Sequence, residues 1–419
     1  MAALQELPTE LLDQIVNYLP TAQSVSHLSQ SSRTLYDFIE KEGWRSFTQS
    51  RFPAYHVPPY WKDASRALTT LSRNWDRRAL LAQYIEPRGS IRTVAGHQPV
   101  KQWRRPKGQT MGFQPAIDSF EQFTGNEWGD RREVLAWSAG AELLVRFTST
   151  SSRSNGKTHE WWTYKPRGSM EGLDDITSIK LLKPRESILR PEGRSTSAEQ
   201  ILVGTARYNL QMLQIPGRPS DNPVSSTFAT DGRPVRSTTI WQHSDKPLLA
   251  ANLSDSALAL YPLDSKEAQV APTAEINAIP QARRGCRIWS TKFLNEHHLA
   301  LGLGPSVEPV HIFGITPSSM TSEPLRKFSL VDELNDNRLD SIGNLKPTSS
   351  IYPIEPLPSS SAGSVNDGNI FLSGGYDGII RLHDMRSPSH VETTYTDPTD
   401  DAAVYSLLAR GLDLSLIHI

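Results

Sequence analysis

Apolar residues recur at two different periods along this chain, and the change between them divides it. In residues 7–44, LPTELLDQIVNYLPTAQSVSHLSQSSRTLYDFIEKEGW, Leu11, Leu12, Ile15, Val16 and Leu19 fall at the three-to-four spacing of a helix. Pro8, whose missing N–H suits a first turn, opens it, and Pro20 stops it. Thr21 is a candidate N-cap for a second helix whose buried face carries Val25, Leu28, Leu35, Phe38 and Ile39. Trp44 and Phe47 begin a third apolar stripe. Residues 61–86 predict one more amphipathic helix, with Ala64, Leu68, Leu71, Trp75 and Ala79 on one stripe and Pro87 at its end; Arg73, Arg77 and Arg78 fall mostly off the stripe. From 88 to 115, the turn formers Gly89, Gly96, Pro99, Pro106, Gly108 and Pro115 read as a linker.

Beyond residue 116 the period shortens to that of strands, separated by Gly, Pro, Asn, Asp and Ser clusters. FLSGGYDGIIRLHDM, residues 371–385, has a hairpin signal at Asp377-Gly378 between two apolar runs. The same outline returns in ILVGTARYNLQMLQI (201–215), LAANLSDSALALYPL (249–263) and HLALGLGPSVEPVHIFGI (298–315). An earlier copy, broken by a Ser-rich loop, runs from ELLVRFT to EWWTYK. Strands ending at Tyr164, Ile215, Leu263, Ile315 and Met385 lie mostly about fifty residues apart. Each copy has a preceding strand, respectively ITSIKLL, RSTTIWQ, RIWSTKF and SSIYPIE for the later ones and EVLAWSA for the first. Four-stranded units repeated in this way pack radially as a β-propeller. DAAVYSLLA, 401–409, reads as the first strand of a sixth unit.

Composition narrows the class further. With 419 residues, two or three folding units are expected. No segment approaches the roughly 18 uninterrupted apolar residues of a spanning helix, and MAALQELPTE lacks the start of a signal peptide. Cys286 is the single cysteine, which rules out an internal disulfide and any CxxC-type metal site and points to the reducing cytoplasm or nucleus. The sequon at Asn252 then has no meaning for glycosylation. A net charge of −1 gives no overall drive toward nucleic acid. Lys101, Arg104, Arg105 and Lys107 around Trp103 form the densest basic cluster, read as solvated linker.

Two resemblances give these pieces a meaning. The N-terminal stretch resembles an F-box, with Leu7-Pro8 as the opening pair, Glu10 next, Ile15 and Leu19 along the first helix, Ser32-Arg33 as the small and basic pair, and Trp44 closing the motif. Ser31 stands where the family usually has valine. The copy at 371–385 resembles a WD repeat: Ser373 is its strand serine, Asp377-Gly378 its tight turn and Asp384 the aspartate of the Trp-Asp pair, with His383 in place of the tryptophan. No Gly-His pair precedes its first strand, so the family's hydrogen-bonded tetrad is incomplete. These resemblances imply a mainly β chain with a helical N-terminus: an F-box over 1–50, a helical linker over 51–87, a loop-rich linker over 88–115, and an incomplete propeller over 116–419. Five blades are readable, against the family's usual complement of about seven. AIDSFEQF, 116–123, is a candidate ring-closing strand, and GLDLSLIHI is expected not to be a natural ending.

An F-box followed by a WD-type propeller resembles the substrate receptors of Skp-cullin-F-box ubiquitin ligases. The resemblance implies that Leu7, Pro8, Leu11, Ile15, Leu19, Leu28 and Trp44 dock on a Skp-type adaptor and through it on cullin, while the propeller holds a target protein. Proximity, rather than a catalytic residue, then raises the transfer rate. The alternative is a non-degradative scaffold using the same two modules. No cofactor, metal, membrane or nucleic-acid partner is expected. Gly156-Lys157-Thr158 lacks the earlier glycine of a phosphate-binding loop, and His159-Glu160 lacks the second histidine of a zinc-protease motif. His297, His298 and His311 with Cys286 match no metal spacing, and no GxSxG elbow occurs.

Overall fold

The structure, a computed structural model, describes residues 4–418 apart from 53–59, 80, 82–83, 95–102, 105, 107, 109–114, 152–153, 184–198, 216–223, 255, 266, 280–284, 331–347, 358–367 and 411–412. Lys101, Arg105 and Lys107 of the basic cluster lie outside the described residues. Five α-helices come first: α1 (Thr9–Asn17), α2 (Ala22–Ser29), α3 (Arg33–Phe38), α4 (Trp44–Arg51) and α5 (Trp61–Asp76), with a π-helical turn at Ile39–Gly43. The Thr21 hydroxyl caps α2 by accepting from the Ser24 N–H at 3.1 Å. The helix expected to run on through Ile39 instead breaks after Ser29. Ser32 restarts the chain as a second cap, its hydroxyl accepting from the Leu35 N–H at 3.2 Å, because a serine in extended backbone satisfies an orphan donor better than it continues a helix. The helix expected to reach residue 86 stops at Asp76, ten residues short, so Ala79 lies off it.

Strands β1 (Arg92–Thr93), β2 (Ile117–Phe123), β3 (Arg131–Ala139), β4 (Glu142–Ser151) and β5 (Ser154–Tyr164) form the first sheet, in the order β1-β5-β4-β3-β2. The second is β6 (Ile176–Leu182), β7 (Glu199–Thr205), β8 (Leu210–Ile215) and β9 (Val224–Phe228). The third is built from β10 (Val235–Trp241), β11 (Leu248–Leu253), β12 (Ala257–Pro262) and, after β13 (Gln269–Val270) has crossed to pair in parallel with β9, β14 (Ala274–Asn277). The fourth holds β15 (Arg287–Phe293), β16 (His298–Gly304), β17 (Val310–Thr316), the short β18 (Ser319–Met320) and β19 (Arg326–Phe328). The fifth is β20 (Ile351–Pro356), β21 (Ile370–Gly375), β22 (Ile379–Asp384) and β23 (Thr393–Thr396), and β24 (Val404–Arg410) with β25 (Asp413–His418) begins a sixth.

Consecutive sheets press face to face through five apolar layers. Phe120, Val145, Ile179 and Val203 join the first sheet to the second; Leu202, Leu249 and Tyr261 the second to the third; Leu260, Leu299 and Phe313 the third to the fourth; Ile312, Ile354 and Phe371 the fourth to the fifth; Leu372, Val404 and Leu407 the fifth to the sixth. The first strand of each sheet lies against the first strand of the next. Four-stranded antiparallel sheets stacked this way, each entered by its innermost strand, are blades of a β-propeller.

A repeated device sets the fit between blades. In the second to sixth sheets a buried β-branched residue (Ile176, Val235, Ile288, Ile351, Val404) stands first or, in the fourth sheet, second in the first strand, and a β-bulge follows it at once. In three of these steps the preceding blade's second strand offers a glycine to receive that side chain. A Cβ on Gly204 would stand 2.7 Å from Val235 Cγ1, one on Gly302 3.2 Å from Ile351 Cγ2, and one on Gly374 2.6 Å from Val404 Cγ1. Asn252 holds the same place in the third sheet, fully buried, its side-chain amide donating to the Ile288 carbonyl at 3.1 Å.

Two expectations need correction. AIDSFEQF is not a ring-closing strand: it is β2, paired with β3 as the innermost strand of the first blade. The strands assigned to that blade therefore move outward by one, EVLAWSA being second rather than first and EWWTYK fourth rather than third. The loop-rich linker is also partly structured, since β1 extends the outer edge of that blade in parallel with β5 and buries Ile91 and Val94. An apolar pair flanking two extended residues gains more by covering an exposed sheet edge than by remaining solvated.

Candidate functional site

Within the helical module the apolar stripe of α1 has two sides. Leu12 (3 % exposed) and Val16 (fully buried) point inward with Val25, Leu35, Phe38, Ile39, Phe47 and Leu68. Leu11, 44 % exposed, stands on the outer side with half-buried Ile15, and exposed Tyr18 extends the row at the same spacing. Pro8 is exposed just before the helix, its carbonyl accepting from the Leu11 and Leu12 N–H groups at 3.1 Å each. Leu7, Leu19 and Leu28 are half-buried at the border of the core. Six of the seven residues expected to dock thus keep accessible surface. Tyr18, not among those seven, lies seven residues after Leu11 on the same outer row, a position legible from the helical period alone.

Trp44 is the exception. It is 2 % exposed, packed in the module's core, with its indole N–H donating to Glu40 Oε1 at 3.2 Å and the Lys62 ammonium 5.8 Å above its ring. A large aromatic side chain between α4 and α5 is worth more buried than exposed, so Trp44 belongs to the module's core and not to its outer face. Burial pushes the Glu40 carboxyl up, but its bonds to Lys62 and Trp44 outweigh this and hold it below the usual carboxylate range.

The module is fixed to the first blade. Trp128, in the turn between β2 and β3, packs against the helical core, its ring 5.4 Å from Phe123, and its backbone N–H donates to Asp63 Oδ2 of α5 at 3.0 Å. This turn follows the end of β2. The start of β6 meets the other end of the first blade, where the Ile176 N–H donates to the Gly140 carbonyl just past β3. The helical module therefore sits at the end of the blades opposite their bulges.

In the fifth blade the structure brings Ser373 and His383 together but not Asp377. The Ser373 hydroxyl and His383 Nε2 are 2.8 Å apart, and His383 Nδ1 is 2.7 Å from the His390 carbonyl. A carbonyl only accepts, so Nδ1 carries the hydrogen and Nε2 accepts from the serine. A tryptophan there would impose the opposite polarity, since its indole only donates. Phe371 stacks on the imidazole and Phe328 meets it edge-on, each with centroids 4.9 Å away. Burial lowers the His383 pKa to about 4, so the ring is neutral. Asp377 instead pairs with Arg381 at 2.6 Å, and Gly378 turns at φ +74 where a Cβ would strike the Asp401 carbonyl. Asp384 pairs with Arg386 at 2.9 Å. Ser373 and His383 thus join β21 to β22, while Asp377, Gly378 and Asp384 hold the turns at the two ends of β22.

His298 and His311 lie on neighbouring strands of the fourth blade but out of register, His298 opposite Gly314 and His311 opposite Leu301. Burial lowers both, His311 to about 4. Among the described residues no three His, Cys, Asp or Glu side chains gather into a metal-binding group, and no helix is long and apolar enough to cross a membrane.

Residues 4–46 match the model of the F-box domain. No curated protein matches the chain. Among solved structures, it is similar to BBS1N in complex with ARL6DN (12 % identity, 68 % of this chain and 71 % of that one, TM-score 0.40) and to the WD40 β-propeller domain of Doa1 (13 %, 65 % and 68 %, 0.38). It is also similar to Chaetomium thermophilum Sqt1 bound to the N-terminus of a ribosomal protein (15 %, 66 % and 61 %, 0.45). The blade architecture stands on the strand order and the five apolar layers. An F-box domain at residues 4–46 is thus carried in front of the blades of a WD-repeat-like β-propeller.

Proposed function

We propose that this chain is the target-recognition subunit of a Skp-cullin-F-box ubiquitin ligase, a non-catalytic receptor whose F-box docks on a Skp-type adaptor while its propeller holds the protein to be modified. The supporting observation is the split face of α1: Leu12 and Val16 complete the module's own core, whereas Leu11 and Tyr18, 44 % and 88 % exposed, are left for a partner. Apolar side chains of this size, clustered at the centre of an interface, carry most of its affinity. Anchorage through Trp128 and Asp63 then sets adaptor and target at opposite ends of the blades, and the ligase acts by holding a lysine within reach of a charged conjugating enzyme.

Replacing Leu7 and Pro8 together by alanine is expected to abolish co-purification of the Skp-type adaptor with the full chain. Undiminished co-purification would remove the ligase assignment. Target turnover separates this reading from a non-degradative scaffold: in cells lacking the chain, the ligase reading requires a bound protein that accumulates with fewer ubiquitin chains.

A further inference from the structure

The bulges near the start of the first strands leave one residue outside the ladder in the fourth and sixth blades and two, Tyr352 and Pro353, in the fifth, which re-aims their side chains. The aromatic residues among these are Trp289, Tyr352 and Tyr405. Their rings form one continuous row across three blades. Trp289 meets Tyr352 edge-on at 4.9 Å, Tyr352 stacks on Tyr405 at 4.7 Å, and Tyr376, 60 % exposed in the turn between β21 and β22, stands 6.2 Å from Tyr352.

The row is charged unequally at its two ends. The exposed Arg287 guanidinium lies over Trp289, 4.0 Å from the ring centroid, and forms no ion pair with a carboxylate among the described residues. On the other side, just before β24 and its Tyr405, Asp400 and Asp401 are exposed, and the Asp401 carbonyl lies against Gly378. Single exposed tyrosines are ordinary, but aromatic residues from three blades in mutual contact, with an arginine stacked on one of them, have the composition of an interface centre. The row is at the bulge end of the blades, away from the F-box.

We propose that Arg287, Trp289, Tyr352, Tyr376 and Tyr405 seat an extended acidic peptide segment of the target protein. Its carboxylate meets Arg287 and its aromatic or prolyl side chains lie on the ring row. The acidic end points to Arg287 because Asp400 and Asp401 repel it from the other end. This deepens the receptor reading by naming the face and the chemistry it takes.

The test is selection of a displayed random-peptide library on the full chain, followed by affinity measurement of the enriched peptides on Arg287→Glu and Tyr376→Ala. Both positions are exposed, so the thermal unfolding midpoint is expected to be unchanged. The expected result is enrichment of peptides carrying Asp or Glu beside aromatic residues or proline, each losing at least tenfold in affinity on either variant. Peptides without acidic residues, peptides bound equally by the variants, or no enrichment would overturn it. So would a single-stranded oligonucleotide that binds the chain and loses affinity on Arg287→Glu in place of peptides. Adaptor co-purification by the same variants is measured in parallel: it fails only if the ligase reading fails, whereas peptide binding reports on this face alone.

Discussion

Ser178 and Thr238, at successive positions on the first strands of the second and third blades, share a hydrogen bond of 2.6 Å between two buried hydroxyls. Ser237 and Thr291 repeat the pair one blade on, at 3.3 Å. At the next step Ile354 takes the threonine's place, and the buried Ser290 hydroxyl is without a partner. The expected consequences differ in sign. Ser178→Ala strands the Thr238 hydroxyl and lowers stability by about 1–2 kcal/mol, whereas Ser290→Ala removes an unsatisfied group and is neutral or slightly stabilising. Urea denaturation of both variants decides this, and equal losses would contradict it.

The acid sensitivity of the fold follows from its buried histidines. Burial holds His383 and His311 at about 4 in the folded chain, against 6.5 when unfolded. Between these values the unfolded chain binds protons that the folded chain refuses, so their contribution is complete above pH 6.5 and declines as pH falls toward 4. His383→Phe, which removes one of the two rings, is expected to flatten the fall in denaturation midpoint between pH 7 and 5. It also lowers stability at pH 7 by about 1–3 kcal/mol, through the orphaned Ser373 hydroxyl.

Adjacent leucines on α1 are expected to behave in opposite ways. Leu12→Ala opens a cavity in the helical core and costs about 2–5 kcal/mol. Leu11→Ala leaves thermal stability unchanged within about 0.5 kcal/mol, and weakens adaptor binding. Calorimetric unfolding and adaptor titration on the same preparations separate the two; a Leu11→Ala protein that unfolds early would place that side chain in the core instead.

The glycine seats between blades predict a third contrast. Alanine at Gly374 would press on Val404 Cγ1 and Pro353 Cγ at 2.6 and 2.7 Å, and is expected to cost about 1–3 kcal/mol as the blades separate. A Cβ on Gly156 of β5 meets nothing within 4 Å, so Gly156→Ala is expected to leave the denaturation midpoint in place.

Much of this architecture was legible because its signals are local. Helical spacing located α1, and Thr21 announced the cap of α2. The Asp377-Gly378 turn between two apolar runs marked the fifth blade and, by its outline, the second, third and fourth. The first blade was framed one strand too far in because its strands alternate as well as any others, and only pairing tells which is innermost. The WD-type pattern marked Ser373, Asp377 and His383 as strand and turn positions, but neither the bond between Ser373 and His383 nor the diversion of Asp377 to Arg381 was legible, since an arginine four residues along a strand carries no mark of where its guanidinium will lie.

What the sequence by itself determined is the order of modules, the apolar stripes and the repeat, since these depend on periods of two and of about 3.6 residues written along the chain. Tertiary structure alone decided which side of each stripe is spent on the chain's own core. It buried Trp44 while leaving Leu11 exposed, tied Trp128 to Asp63, and set Arg287, Trp289, Tyr352 and Tyr405 side by side from three blades. Those outcomes depend on contacts between residues tens of positions apart. Such contacts come from stacking sheets in space, and no local pattern encodes them.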